Sequence, residues 1–350
     1  MSQQVSSRYR ALRVRRVVEE TPDARSVWLD IPDDLSEVFR YRCGQFITLR
    51  LPVGGQQVPR CYSMSSAPAL DAGLRVTIKR VAGGRGSNWV CDQVRAGDTL
   101  QVMPPSGVFT PRSLDGDFVL LAGGSGITPV LSILRTVLSQ AQGRVLLIYA
   151  NRDERSVIFC DELNALAAAH PQRLQVIHWL DSVQRIPSVD QLAELARPWP
   201  TAQAFICGPG PFMEAAVAAL RAAGLDDERV HVERFASLPD EVDEAASTMS
   251  EGPAVADAVD VARLEIELNG QVHVIDTRRG ETLLDAALRQ KLDVPFSCQA
   301  GLCASCMCQV VQGSVHLRHN EALDQKDLSR GWTLSCQALP TSAQVRVKFP

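Results

Sequence analysis

Four cysteines in the last part of the sequence constrain the fold more than any other feature. They follow the spacing Cys-x4-Cys-x2-Cys and, after 29 further residues, Cys: these are Cys298, Cys303, Cys306 and Cys336. This spacing is typical of the four thiolates that bind a plant-type [2Fe–2S] cluster. Structural zinc is the alternative, but zinc sites usually pair two short Cys knuckles, and the three-plus-one grouping argues against it. The chain must therefore fold so that four thiols converge.

Composition excludes several other classes of protein. Apolar residues make up 45% and charged residues 22% of the 350 residues, and the net charge of −4 gives no case for nucleic-acid binding. No apolar run is long enough to cross a membrane, and the first eight residues lack the apolar stretch of a secretory signal. Because ten cysteines without such a signal suggest a reducing compartment, we expect a cytoplasmic protein whose Cys cluster binds metal.

Hydrophobic periodicity divides the chain into several domains. Over residues 1–112, apolar and polar residues alternate between recurring turns, as in 44–51 and 74–81, which predicts an antiparallel β-barrel. Over residues 113–235, short apolar runs alternate with helical periods, which predicts an α/β domain with a doubly wound parallel sheet.

A change of composition separates these domains from the cysteine motif. Residues 236–262 contain seven acidic residues and no Lys or Arg, so we expect an acidic flexible linker that could act as a tether. Structure is predicted to resume over 263–350, with a hairpin at Asn269-Gly270 and a helix over 282–290. This third domain holds ten basic and nine acidic residues, so no strong charge field identifies a docking partner.

Two motifs of the first domain suggest a site for a phosphate-bearing cofactor. The tetrapeptide 60–63, Arg-Cys-Tyr-Ser, is a weak signal alone, since a surface strand could carry it by chance. The glycine-rich turn 83–86 leads into a predicted helix with Ser87 near its N-cap. Free N–H groups at a helix start can bind phosphate.

Two strand–loop–helix transitions in the second domain suggest a nucleotide site. The loop 123–129, Gly-Gly-Ser-Gly-Ile-Thr-Pro, follows a buried strand and opens a helix, and 207–213, Cys-Gly-Pro-Gly-Pro-Phe-Met, repeats the pattern. A dinucleotide pyrophosphate sits at such a position in doubly wound folds. The loop is not the usual Gly-x-Gly-x-x-Gly, so composition alone leaves a close-packing turn open.

Together these motifs resemble the ferredoxin–NADP reductase superfamily, and their order resembles the reductase components of multi-component oxygenases. The strings 60–66, 79–80 with 86–92, and 149–159 are similar to those of 3-ketosteroid 9α-hydroxylase reductases and, less closely, of phenylacetyl-CoA epoxidase reductases. The resemblance implies a multi-domain protein with an antiparallel β-barrel for FAD, an α/β domain for NAD and an α+β β-grasp ferredoxin domain. Gln299 departs from the basic residue that relatives often place after the first cluster Cys.

The resemblance also implies roles for individual residues. The residues implied for FAD are Arg60, Tyr62, Ser63, Thr77, Ile78, Lys79, Gly86 and Ser87. Those implied for the nicotinamide nucleotide are Gly123, Gly124, Gly126, Thr128, Pro129, Gly208, Pro209 and Met213. The residues implied at the reacting centre are Tyr62, Ser63, Cys207 and Phe235, with the Phe235 ring covering the flavin at the end of the segment 233–235. Cys308 is expected to be a core thiol rather than a cluster ligand.

The implied activity is electron transfer from NADH to FAD as hydride, then singly through the [2Fe–2S] cluster to a terminal oxygenase. A Rieske-type 3-ketosteroid 9α-hydroxylase is the expected acceptor. Arg152 and Arg155 stand where an NADPH phosphate would bind, but Asp153 and Glu154 are interleaved with them, so NADH is favoured and NADPH is the alternative.

Two other classes of function remain open at this point. An iron–sulfur redox sensor would need only the cluster, and the two nucleotide motifs argue against it. A terminal flavoenzyme would reduce a small molecule directly, with the cysteine domain auxiliary.

Overall fold

The computed structural model describes residues 9–235 and 259–349, apart from positions 297, 300, 302, 321 and 324. The chain divides into two compact units, residues 1–235 and 236–350. The predicted linker lies outside the described residues up to position 258.

The first unit begins with a closed antiparallel barrel. Its strands are β1 (Arg10–Thr21), β2 (Ala24–Leu29), β3 (Phe46–Val53), β4 (Gln56–Ser63), β5 (Leu74–Lys79) and β6 (Thr99–Val102). They pair in the order β4-β3-β6-β1-β2-β5, and a bridge between Met64 and Val76 joins the two ends. Helix α1 (Arg85–Gln93) packs its buried Val90 and Cys91 against the barrel core. The predicted antiparallel barrel is therefore confirmed.

The rest of the first unit is an α/β domain. Its elements are β7 (Phe118–Gly123), α2 (Ile127–Gln140), β8 (Val145–Asn151), α3 (Cys160–Ala169), β9 (Leu174–Leu180), α4 (Asp181–Gln184), α5 (Val189–Ala196), β10 (Gln203–Cys207), α6 (Gly210–Ala222) and β11 (Val230–Glu233). The strands are parallel in the order β11-β10-β7-β8-β9. All six residues of β7 are buried, because its alternate side chains meet helices α2 and α3 on one face and α5 and α6 on the other. This is the predicted doubly wound sheet.

The second unit is a mixed sheet with a helix packed on it. Its elements are β12 (Arg263–Leu268), β13 (Gln271–Asp276), α7 (Leu283–Arg289), β14 (Met307–Gln312), β15 (Val315–Leu317), α8 (Gln325–Ser329), β16 (Trp332–Leu334), β17 (Ala338–Pro340) and β18 (Gln344–Lys348). The main sheet has the order β13-β12-β18-β14-β16, with β12 and β18 parallel, and β15 pairs with β17 separately. The fold is the predicted β-grasp.

Local sequence explains the elements of the second unit. Asn269 and Gly270 both adopt positive φ, 51° and 77°, as a two-residue hairpin turn requires. Thr282 and Asp285 form a reciprocal capping box at the start of α7, and Leu283 and Leu284 then pack into the core. In the part of the chain that the structure describes, no helix is both long and apolar enough to cross a bilayer.

Candidate cofactor and metal sites

The strand β4 and the first turn of α1 meet at Arg60 and Gly86. A methyl group added to Gly86 would lie 2.9 Å from Cγ of Arg60, so only glycine fits here without displacing the arginine. The helix begins at Arg85, and the prediction of Ser87 as its cap is wrong, because Ser87 Oγ instead accepts the Val81 N–H at 3.1 Å. Gly84 at the N-cap has no side chain to cap the first N–H groups of α1, and a helix start of this kind fits a phosphate.

The strand β5 places its three predicted flavin residues differently. Ile78 is buried in the barrel core, so its main chain rather than its side chain could face a ligand. The hydroxyl of Thr77 is bound within the barrel by two serines at 2.8 and 2.9 Å. The Lys79 ammonium lies 3.7 Å from the Asp23 carboxylate and 3.8 Å from the position of a Cβ on Gly124. The Lys79 side chain therefore lies between the barrel and the first glycine loop of the α/β domain.

The two glycine loops of the α/β domain pack backbone against backbone. A Cβ on Gly126 would lie 2.0 Å from the carbonyl oxygen of Cys207, and a Cβ on Gly123 would lie 2.7 Å from Cδ of Pro209. Gly208 in turn would place a Cβ 2.9 Å from the nitrogen of Gly123. Three of the glycines are therefore required by close approach of the loops, which sit at the carboxyl edge of β7 and β10.

The same loops carry polar groups that fix the start of α2. Gly124 has a φ of +53°, and its carbonyl accepts the Tyr149 hydroxyl at 3.0 Å. Thr128 is buried and donates its hydroxyl to the Ser125 carbonyl at 3.1 Å. Pro129 lies in the first turn of α2, where a backbone N–H would have no hydrogen-bond partner within the helix, so proline is tolerated. Helix α6 begins directly after Pro209, with Pro211 in its first turn.

A hydrogen-bonded pair joins the barrel to the last strand of the α/β domain. Ser63 at the end of β4 donates its hydroxyl to Glu233 Oε2 at 3.2 Å, and Glu233 lies beside Cys207 in the register of β10 and β11. Removal from water raises the pKa of Glu233 to about 8, against which the Ser63 hydrogen bond acts only in part. Burial, and then the charge of Glu233, raise the pKa of the Cys207 thiol. At neutral pH this group therefore holds a proton on Glu233 and an un-ionised thiol.

Glu233 is not among the site residues that the sequence predicts. The segment 233–235 is marked by resemblance only for Phe235, and the partner of Glu233, Ser63, is 170 positions away. The neighbouring Tyr62 is largely withdrawn from solvent, and burial raises the pKa of its hydroxyl, which keeps it neutral. Phe235 is 46% exposed at the end of the first unit, and Met213 is 3% exposed within the hydrophobic core. The Met213 side chain thus packs in the core rather than facing the loops.

The four predicted cluster ligands lie in two pairs. The Cys298 N–H donates to the Cys303 sulfur at 3.4 Å, and the thiols of Cys306 and Cys336 are within hydrogen-bond distance of each other. The hydrogen bond between these two thiols lowers the pKa of Cys336 and raises the pKa of Cys306, so the pair shares a proton. No group of three or more metal-binding side chains is drawn together among the described residues. A main-chain N–H bound to the Cys303 sulfur and the nearby Cys306 and Cys336 thiols are compatible with a [2Fe–2S] cluster held by four Cys thiolates.

The loop that carries three of these cysteines has an unusual backbone. Gln299, Gly301 and Ala304 all adopt positive φ, at 57°, 77° and 50°. Left-handed residues in such a loop can turn main-chain N–H groups toward an anion, as they do around iron–sulfur clusters. A Cβ on Gly301 would lie 2.5 Å from the carbonyl oxygen of His319, so the chain passes too closely for any other residue.

The side chain of Gln337 forms a hydrogen bond with the backbone of the cysteine loop. Its Nε2 donates to the Gln299 carbonyl at 2.9 Å, and Gln337 follows the ligand Cys336 directly. Gln299 therefore contributes its main chain to the loop, while its side chain is exposed. Cys308 lies on β14 opposite Thr333 and is fully buried in the core, where burial raises its pKa. The donor set and the backbone both fit a [2Fe–2S] cluster, with Cys308 as a packing residue.

The end of β8 carries the charges that the sequence predicts to select the nucleotide. Asp153 caps the 3-10 turn Glu154–Ser156 by accepting the Ser156 N–H at 3.0 Å. This hydrogen bonding by Ser156, with a further bond from Arg152, lowers the pKa of Asp153. Arg152 is 74% exposed and its guanidinium is 3.1 Å from the Asp153 carboxylate. The position next to β8 therefore holds an ionised Asp153 that is paired with Arg152.

Three family models match this chain in the order of its folded domains. An oxidoreductase FAD-binding domain matches residues 11–110, an oxidoreductase NAD-binding domain matches 120–218, and a 2Fe-2S iron–sulfur cluster binding domain matches 266–341. Over 346 residues, 98% of this chain and 97% of the relative, the sequence is 49% identical to the ferredoxin reductase component of 3-ketosteroid-9-alpha-monooxygenase from Rhodococcus rhodochrous. The chain belongs to the oxygenase reductase family. It is an oxidoreductase with sites for FAD, NAD and a 2Fe-2S cluster.

Two further similarities, at lower identity, also extend over nearly the whole chain. A component of the 1,2-phenylacetyl-CoA epoxidase from Escherichia coli K12 is 36% identical, with 97% of this chain and 98% of the relative covered. The crystal structure of phthalate dioxygenase reductase is 21% identical and superposes with a TM-score of 0.62, covering 97% of this chain and 98% of that one. At this identity the likeness shows the fold alone, and it extends to all three domains.

Proposed function

We propose that this chain is the reductase component of a multi-component oxygenase that hydroxylates 3-ketosteroids at the 9α position. The observation that carries the steroid assignment is the 49% identity, over nearly the full length of both chains, to a reductase of that system. The epoxidase relative at 36% identity is the second candidate system. The partner in either case is a terminal oxygenase that accepts electrons.

Different residues of the first unit would bind FAD, bind the nicotinamide nucleotide and hold a proton. When bound, FAD would accept one hydride from NADH, that is two electrons and a proton, and would pass the electrons singly to the [2Fe–2S] cluster. Arg60 and the first turn of α1 would bind the FAD pyrophosphate. The packed glycine loops would bind the nicotinamide nucleotide, and Glu233 would hold a proton beside Ser63 because its pKa is about 8. Phe235 remains our proposal for the ring that covers the flavin.

Two finer features belong to the same proposal. We infer NADH as the donor, because the ionised Asp153 at the end of β8 would repel the additional phosphate of NADPH. The domains would be 1–112 for FAD, 113–235 for NAD and 263–350 for the cluster, with 236–262 as their tether. None of the ten cysteines, all of them described, forms a disulfide, which supports placement in the reducing cytoplasm.

A substitution of one cluster ligand tests the serial order of the electron path. Cys306→Ser should abolish NADH-dependent reduction of cytochrome c while largely sparing reduction of ferricyanide. Cys308→Ala is the matched control, because this thiol lies two positions away, is buried in the core and is not a proposed ligand. Equal loss of both activities in Cys306→Ser would refute a serial relay and favour the direct flavoenzyme.

The steroid assignment needs a separate measurement. The purified reductase is combined with a 3-ketosteroid 9α-hydroxylase oxygenase component or with the oxygenase part of a phenylacetyl-CoA epoxidase, and product formed per NADH consumed is determined. A ratio near one with the first partner alone supports the proposal. Coupling with the second partner alone would reassign the chain to the aryl-CoA system.

A further inference from the structure

A network of buried charges joins the barrel to the α/β domain away from the glycine loops. The Arg135 guanidinium donates two hydrogen bonds to Asp71, at 2.6 and 3.0 Å, and its Nε is 3.2 Å from Glu162. Arg75 donates to the same Glu162 carboxylate at 2.7 and 3.3 Å. The side chains of Arg75, Asp71 and Arg135 are only 7%, 11% and 16% exposed, and that of Glu162 is 28% exposed. Arg135 of α2 and Glu162 of α3 thus contact each other, and each also contacts one residue of the barrel domain.

Aromatic rings from both domains enclose Arg75. Its guanidinium lies 5.2 Å from the centre of the Trp28 ring in the barrel and 4.7 Å from the Phe159 ring at the start of α3. Phe159 has a φ of +63°, a conformation that non-glycine residues rarely adopt unless the surroundings hold it. Arg75 also donates to the carbonyl oxygen of Ser65 at 2.8 Å. The arginine is therefore fixed in both direction and position.

Hydrogen bonds connect this network to the candidate reaction site. Ser132 of α2 donates to the Ser66 carbonyl at 2.6 Å, and the Ser66 hydroxyl accepts the Arg75 N–H at 3.0 Å and the Tyr41 hydroxyl at 2.8 Å. Ser66 stands three positions after Ser63. Helix α2, which carries Ser132 and Arg135, begins at the first glycine loop. A displacement in the network would therefore move both halves of the site.

The network also accounts for sequence that the cofactor sites leave unexplained. Two of the strings that resemble the oxygenase reductases, 60–66 and 149–159, end in Ser66 and Phe159. Neither residue is among those proposed to contact a cofactor, yet both touch Arg75. The last residues of both strings therefore contact Arg75, which lies outside both strings.

We propose that Asp71, Arg75, Arg135 and Glu162 are positioning residues for hydride transfer. They act through the loop after β4 and through helix α2, and they set the spacing between the flavin residues and the nicotinamide loops. Bidentate arginine–carboxylate pairs suit this role, because their two hydrogen bonds fix both distance and orientation, whereas apolar contacts have no preferred direction. The inference rests on the proposed function, since it needs a hydride transfer whose rate depends on that spacing.

Glu162→Gln tests the proposal in the full-length, FAD- and cluster-loaded protein. The variant keeps the shape of the side chain and removes the charge between the two arginines. Anaerobic stopped-flow reduction by NADH gives the limiting rate per bound FAD and the Kd of NADH. We expect the limiting rate to fall by about 10- to 100-fold, since a misplacement of about 1 Å can cost 100-fold, with a much smaller change in Kd. Deuterium at C4 of NADH should then give a larger isotope effect on turnover.

Two further variants separate positioning from general stability. Asp227→Asn is the control, because it breaks an Arg–Asp ion pair on the surface. The Asp227 and Arg221 side chains are 2.7 Å apart and are 52% and 60% exposed. This variant should leave the rate of flavin reduction unchanged. Arg135→Lys keeps the charge but loses the fork, and should lower the rate by an intermediate factor. If Glu162→Gln does not retain FAD, the rate of Arg135→Lys is compared with the wild-type rate instead.

The possible results are distinguishable. A merely structural network would lower the melting temperature and the FAD content but leave the rate per bound FAD at the wild-type value, and that result would overturn the positioning role. If NADH does not reduce FAD even in the wild type, the proposed function itself fails and the positioning role fails with it.

Discussion

The contact between the two glycine loops gives the most direct test of the nucleotide site. A methyl group at Gly126 would lie 2.0 Å from the oxygen and 2.4 Å from the carbon of the Cys207 carbonyl, and 2.8 Å from the nitrogen of Gly208. All three atoms belong to the backbone, so no side chain can rotate away. Real contacts are essentially never shorter than 3.0 Å, so the loops of Gly126→Ala must separate by at least about 1 Å.

That displacement should affect both stability and reactivity. Overpacking of this kind typically lowers the free energy of unfolding by about 1–3 kcal/mol. A shift of about 1 Å in groups that orient a substrate can lower a rate by about 100-fold. Urea unfolding gives the first quantity. Stopped-flow reduction of the FAD-loaded protein by NADH gives the limiting rate and the Kd of NADH.

The chain offers two matched glycine controls. Gly210 lies on the second loop with nothing within 4 Å of an added Cβ, so Gly210→Ala should retain the wild-type rate. Gly143 lies at the opposite, amino edge of the sheet, where a Cβ would be 1.8 Å from the carbonyl oxygen of Gly116. Gly143→Ala should therefore lose stability but keep the Kd of NADH. If Gly126→Ala behaves like Gly143→Ala, the loops are only close-packed turns and the reasoning is refuted.

Three further predictions concern single polar groups. The folded protein keeps Glu233 protonated up to about pH 8 whereas the unfolded chain ionises it near 4.5, so urea stability should fall as pH rises through this range and level off above it. Glu233→Gln should weaken that slope, and equal slopes would contradict the assignment. Gln337→Leu removes the 2.9 Å bond to the Gln299 carbonyl, so cluster absorbance should decay about fivefold faster in a chelator, and equal decay would count against the clamp. Asp153→Asn keeps the capping acceptor but removes the charge, so kcat/KM for NADPH should rise about tenfold; a rise with NADH instead would argue against phosphate repulsion.

Local patterns predict those parts of the fold that depend on neighbouring residues. The hairpin at Asn269-Gly270 and the helix over 282–290 follow from local signals, and the structure has a turn at 269–270 and α7 at Leu283–Arg289 with Thr282 as its N-cap. The cysteine spacing likewise identifies Cys306 and Cys336, whose thiols the structure brings together, and Cys303, whose sulfur accepts the Cys298 N–H. The predicted cap of α1 is three positions too late, at Ser87 instead of Gly84, because Ser87 serves the preceding turn rather than the helix.

Contacts between distant segments could not be predicted in this way. Glu233 gains its raised pKa from burial beside Ser63, which only the folded barrel supplies. Arg75 and Glu162 are 87 positions apart, and neither stands in a motif that pairs it with the other. The loop-to-helix motif implies a nucleotide contact for Met213, but the helical period directs its side chain into the core.

Position 299 illustrates how this fold separates metal binding from surface identity. Gln299 supplies a left-handed backbone and a carbonyl acceptor to the cysteine loop, and both belong to the main chain. Its exposed side chain has no share in that geometry. The position is therefore a site for redesign, where Gln299→Lys or Gln299→Glu would change the charge beside the cluster while the ligand loop keeps its shape. Exchange of a single surface residue could in this way retune which electron acceptor the reductase serves.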